Sequence, residues 1–263
     1  MPDDETGAES VTFPTARTTS DFASNLERVR ARIDAALDRV GRPRGEVQLL
    51  PVSKTVPEDR LRHAVAAGCT VLGENKVQEA KRKWQELSDL DVSWSVIGHL
   101  QTNKAKDVAE FAAEFQGLDS VKAAEALDRR LQALGRSLDV YAQVNTSGED
   151  SKYGLAPEDV IPFLRTLPDY GALRVRGLMT IALFSADVER VRPCFALLRG
   201  LRDEARDLDL VGDGGLSMGM SGDFETAIEE GATCVRVGQA IFGARATSDE
   251  QYWPSGGSAS EKA

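Results

Sequence analysis

Val47-Gln48-Leu49-Leu50-Pro51-Val52-Ser53-Lys54-Thr55-Val56-Pro57-Glu58-Asp59 is the stretch on which the reading of this chain turns. An apolar run fit for a buried strand, predicted over 48–53, ends at a lysine. Pro57 and two acids then open a helix at its first turn. Lys54 therefore marks a strand-to-helix junction. In α/β folds the carboxyl end of a strand is where chemistry collects. A lysine partly withdrawn from water there loses some of its preference for the charged form. Its amine then becomes a nucleophile suited to a Schiff base with an aldehyde.

The same alternation continues on both sides. Upstream, residues 21–40 put Phe22, Leu26, Val29, Ile33 and Leu37 on one helical face. Downstream, strands are predicted at 70–72, 94–97, 115–118, 140–144, 173–178, 210–217 and 234–237, with a helical segment after each. Eight strands alternating with helices imply a parallel sheet. Packed into roughly 200 residues, they point to a single (β/α)8 TIM-type barrel with an extra N-terminal helix. An open doubly wound sheet is the alternative, but no GxGxxG opens a first turn. The barrel is expected over 20–246. The polar, aperiodic segments 1–19 and 247–263 are expected to be disordered tails.

Composition narrows the function. The 263 residues carry a net charge of −10, the wrong sign for general nucleic-acid binding. A local pocket can still be positive on such a chain. Cys69, Cys194 and Cys234 form no CxxC and read as free core thiols. His63 and His99 lack metal-ligand spacing, so no metal site is expected. No apolar run approaches the ~18 residues of a membrane span. The start Met1-Pro2-Asp3-Asp4-Glu5 is acidic where a signal peptide is positive, so a cytoplasmic protein is expected. The run Lys81-Arg82-Lys83 alternates with acids and reads as a solvated helix face.

The last two strand ends suggest a phosphate site. Ser217-Met218-Gly219-Met220-Ser221-Gly222 follows the seventh strand. Arg236-Val237-Gly238-Gln239-Ala240 spans the end of the eighth and enters a short helix. Loops after strands seven and eight, with a short helix, are the recurring phosphate cup of barrels. Ser217 and Ser221 offer hydroxyls, Gly238 permits close backbone approach, and Met220 and Gln239 lie in the same loops. Strand eight closes on strand one, so this cup adjoins Lys54. A small phosphorylated aldehyde, pyridoxal 5′-phosphate (PLP), suits the pair. Arg236 would meet its ring nitrogen. An arginine accepts no proton, so the ring would be a weakened electron sink.

These segments resemble the YggS-type pyridoxal phosphate homeostasis proteins. The likeness runs through Val52-Ser53-Lys54-Thr55, Gly73-Glu74-Asn75-Lys76-Val77-Gln78-Glu79, Gly98-His99-Leu100-Gln101-Thr102-Asn103-Lys104 and Asn145-Thr146-Ser147 with Lys152-Tyr153-Gly154. It continues through Arg176-Gly177-Leu178-Met179, Ser217-Met218-Gly219-Met220-Ser221 and Val235-Arg236-Val237-Gly238, covering about 22–245 in order. The resemblance implies an alanine-racemase-type barrel with PLP on Lys54. Asn75 would lie beside the cofactor, and phosphate would be held at Ser217, Ser221, Gly238 and nearby backbone. Lys76 is a departure, standing where many relatives carry tyrosine. The family is thought to buffer and deliver the vitamin B6 cofactor without a firmly established catalytic activity. Its implied partners are PLP and PLP-dependent apoenzymes, and a monomer or weak dimer is expected.

A PLP-dependent amino-acid racemase is the main alternative. Racemisation needs a base on each face of the substrate carbon. Lys54 can be one, but nothing in the sequence places Tyr141 or Tyr153 opposite it, and Tyr252 lies in the tail. The short stretch after the eighth strand leaves no β-domain of the kind alanine racemases use. A barrel binding another phosphorylated metabolite, with Lys54 as counter-charge, is the third class. Lys152, after the fifth strand, would supply a second amine able to accept or pass on the aldehyde.

Overall fold

The computed structural model describes residues 13–149, 152–183, 185 and 187–244. Its first helix, α1 (Thr19–Arg39), opens with a capping box. The Thr18 side chain accepts from the Asp21 amide, and the Asp21 carboxylate accepts from the Thr18 amide. Phe22, Leu26, Val29, Ile33 and Leu37 are all buried, so the apolar stripe seen in sequence is the packed face.

Eight strands follow: β1 (Gln48–Pro51), β2 (Val71–Glu74), β3 (Ser93–Val96), β4 (Glu114–Leu118), β5 (Leu138–Gln143), β6 (Leu173–Met179), β7 (Gly215–Ser217) and β8 (Cys234–Val237). The ladder runs β2-β3-β4-β5-β6-β7-β8-β1, every pairing parallel. The circle is completed by a bridge between Val52 and Gly73, where the Ser53 amide donates to the Gly73 carbonyl at 2.9 Å. This is the expected (β/α)8 barrel, nearly closed. The outer helices are α2 (Glu58–Ala66), α3 (Val77–Glu86), α4 (Ala105–Phe111), α5 (Val121–Ala133), α6 (Val160–Leu164), α7 (Val188–Asp207), α8 (Phe224–Glu229) and the short α9 (Gln239–Phe242).

Most boundaries shift by one to three residues, and two differ more from the sequence reading. The strand predicted at 210–217 shrinks to three residues, because Gly214 turns the chain with φ at +67° just before β7. Residues 13–18, assigned in sequence to the tail, pack on the barrel. Ala16 is buried and donates to the Phe242 carbonyl, and Ala244 donates to Phe13. Residues 1–12 and 247–263 of the expected tails, with 245–246 of the expected barrel, lie outside the described residues. Among the described residues no helix is long and apolar enough to cross a membrane.

Candidate functional site

The carboxyl ends of every strand but β4 contribute to one cavity of about 870 Å³. Lys54, Asn75, Met220, Ser221, Arg236, Gly238 and Gln239 line it. The topology explains why residues so distant in sequence meet. β8 is hydrogen-bonded to both β1 and β7, so the lysine junction and the two phosphate-type loops are neighbours. Ser221 ties those loops together, its Oγ accepting from the Ala240 amide at 3.3 Å. Gly238 sits where a Cβ would lie 3.2 Å from the Val52 carbonyl oxygen, so a larger residue would crowd the β1 end.

Ser217 stands apart from the other predicted site residues. It is fully buried and is not among the residues lining the cavity. Its hydroxyl donates to Gln116 Oε1 at 2.7 Å and accepts from Arg236 Nη1 at 2.7 Å. Arg236 Nη2 donates to the Thr180 carbonyl at 2.6 Å. Gln116 Nε2 in turn donates to Glu114 Oε1, which also accepts from Ser95. A polar chain thus crosses the barrel interior and fixes the guanidinium at the cavity floor. Burial pushes the Arg236 pKa down, while Cys234, Asp223 and Glu114 oppose that shift. Burial also raises the carboxyls of Glu114 and Asp223 above the usual range.

Three further features were not singled out by sequence. His99 stacks on Tyr153, ring centroids 4.0 Å apart, and its Nδ1 is hydrogen-bonded to Asp119 Oδ2 at 3.2 Å; both rings line the cavity. Gln143 lines it too. Its Nε2 donates to the Tyr153 carbonyl, while its buried Oε1 has no partner among the described residues. Lys83, expected in solvent, is completely buried. It belongs to the inner stripe of α3 with Val77 and Ala80, a spacing of three that was the missed signal. Its neighbours match the expectation better: Lys81 pairs with Asp107 and Glu110, and Arg82 with Glu58 and Glu86.

Lys152 also faces the cavity, paired with Glu149 and donating to the Ala182 carbonyl at 2.9 Å. The three cysteines are buried and unbridged. Burial raises the Cys69 and Cys234 thiols to about 11. Among the described residues no group of His, Cys, Asp and Glu could hold a metal.

The family profile described as alanine racemase, N-terminal domain, matches residues 24–246. A pyridoxal phosphate homeostasis protein of Aquifex aeolicus is 42% identical over 220 residues, 84% of this chain and 96% of that relative. The chain belongs to this family. A second member, from Pseudomonas aeruginosa, is 45% identical over 226 residues, 86% of this chain and 96% of its own. Among solved structures, PipY of Synechococcus elongatus with PLP bound is 36% identical with a TM-score of 0.74, covering 84% of this chain and all of that one. An alanine racemase of Clostridium difficile, 14% identical with a TM-score of 0.69, shares the fold.

Proposed function

We propose that this chain binds PLP in the barrel-mouth cavity through Lys54 and acts as a buffer and delivery protein for that cofactor. The observation that carries the reading is the meeting of Lys54, Arg236 and the two small-residue loops in one cavity. The residues fit the group. The loops around Ser221 and Gly238 offer a backbone cradle for a phosphate. Arg236 would lie on the ring side, and Gln143 Oε1, without a partner among the described residues, would offer a further acceptor. Bound PLP supplies an aldehyde for a lysine amine and a phosphate for the loops. The protein's part is to present the Lys54 amine, anchor the phosphate and keep Arg236 oriented.

The cavity wall favours exchange over guarded chemistry. Lys76, Gln78, His99 and Tyr153 line it and are themselves exposed, Tyr153 by 60%. Controlled carbanion chemistry benefits from excluding water, and this rim admits it. Partner apoenzymes and a monomer or weak dimer belong to the same proposal. So does a reducing, cytoplasmic setting, which three unbridged thiols suit.

Delivery is tested by mixing the PLP-loaded protein with the apo form of a PLP enzyme. The expected result is recovery of that enzyme's activity, and the Lys54→Ala variant should give none beyond what unbound PLP gives. Equal transfer by the two proteins would reject the proposal. Lys152→Ala in the same assay addresses the second amine. A role in passing on the aldehyde predicts slower transfer with unchanged loading.

A further inference from the structure

We infer that Glu74, Glu79 and Lys83 form a positioning cluster that clamps the peptide on both sides of Lys54 and so sets how its amine enters the cavity. This rests on the reading that Lys54 carries the cofactor.

Lys83 comes from α3, behind the barrel end, and is 0% exposed. Its ammonium has three donors, and all three are used. It donates to the Ser53 carbonyl at 2.8 Å, to Glu74 Oε1 at 2.6 Å and to Glu79 Oε1 at 2.7 Å. Ser53 is the residue before Lys54. Its hydroxyl also donates to Glu74 Oε1, at 2.6 Å. Thr55 is the residue after Lys54, and its amide donates to Glu79 Oε1 at 2.9 Å. The three charged groups therefore hold the carbonyl that precedes the lysine and the amide that follows it.

Thr55 needs such an anchor. Its φ is +65°, a left-handed conformation that a β-branched residue seldom adopts. Strained backbone of this kind persists where its surroundings over-determine it, commonly beside functional groups. Glu79 is suited to hold it. Burial opposes its ionised form, yet the bonds from Lys83 and Thr55 outweigh burial and leave its pKa below the usual range. A buried ion pair adds little stability over apolar packing. What Lys83 and its acids supply is a fixed geometry at the one junction where a lysine must point into the cavity.

The test is the rate at which PLP labels Lys54, followed by borohydride quenching at intervals and peptide mapping, with thermal unfolding measured alongside. Glu79→Ala leaves the Lys83–Glu74 pair in place and releases Thr55. Labelling is expected to slow by about tenfold or more, the scale set by the strain of a left-handed non-glycine residue. Adding Thr55→Gly removes that strain and should restore most of the rate. Glycine at a left-handed position can also recover folding stability, so rates are compared at a temperature where thermal unfolding shows every variant fully folded. Thr55→Pro, at an exposed position, forces φ negative and removes the amide, and should slow labelling without any change at Glu79. Wild-type rates in Glu79→Ala or Thr55→Pro, or no rescue by glycine, would overturn the inference while the cofactor reading stood. Absence of Lys54 label in the wild-type protein would overturn both.

Discussion

Ser217 is the residue whose placement most changes what a mutation should do. Sequence suggested a hydroxyl for the phosphate, yet it serves as an acceptor for Arg236 and a donor to Gln116. Ser217→Ala should therefore act through the guanidinium. Removing a buried partner costs on the order of 1–3 kcal/mol of stability. PLP affinity should fall while the stoichiometry of Lys54 labelling stays at one, which a titration with mapping would read. Gly98→Ala acts from the other wall. An added Cβ would lie 2.0 Å from the Asn75 carbonyl oxygen, so the backbone at Gly98 or at Asn75, both on the cavity wall, must shift. Overpacking of this kind costs about 1–3 kcal/mol, and weaker PLP binding should accompany the lower unfolding midpoint. The strand-end residues were legible because position in an alternating pattern fixes where they emerge. Lys83, Gln116 and Glu114 were not, because polar side chains inside a barrel are identified by the partners that topology brings, not by local pattern.

At the scale of elements, the eight strands and their order of appearance could be read from apolar runs set between helix signals. Their lengths could not. β7 is only Gly215–Ser217, since the turn at Gly214 bounds it, and it pairs with β6 from Gly177↔Gly215 onward. A Cβ on Gly177 would lie 1.9 Å from the Gly215 oxygen. The start of α1 gives a pH-dependent prediction. Amide bonds from Arg17 and Thr18 hold the Asp21 carboxyl below its ordinary 3.8. Its contribution is complete above that value and is lost as pH falls through the lowered folded pKa. The Asp21→Ala variant should melt lower than wild type at neutral pH, and the gap should narrow as pH falls below the ordinary carboxyl value and close below the lowered folded one. A gap that widened on acidification would contradict the cap.

For the whole molecule, a ligand that binds only the folded barrel couples binding to folding. A ligand at a hundred times its Kd adds about 2.7 kcal/mol to the folded state. For a chain of this size that raises Tm by roughly 5–10 °C. PLP should give such a rise in wild type, and a much smaller one in Lys54→Ala, which lacks the amine. The barrel as a class was legible because eight strands alternate with helices in about 200 residues and no GxGxxG supports the doubly wound alternative. The depth of the cavity, its exposed aromatic rim and the polar chain beneath Arg236 follow from closure of the sheet and had no local signal.

The most direct measurement is the mass of the peptide that carries the pyridoxyl group after the protein is mixed with one equivalent of PLP and reduced with borohydride. The cavity geometry predicts a single adduct on Lys54, abolished by Lys54→Ala. An adduct scattered over surface lysines, or placed on another residue at full stoichiometry, would contradict the assignment of this cavity as the PLP site.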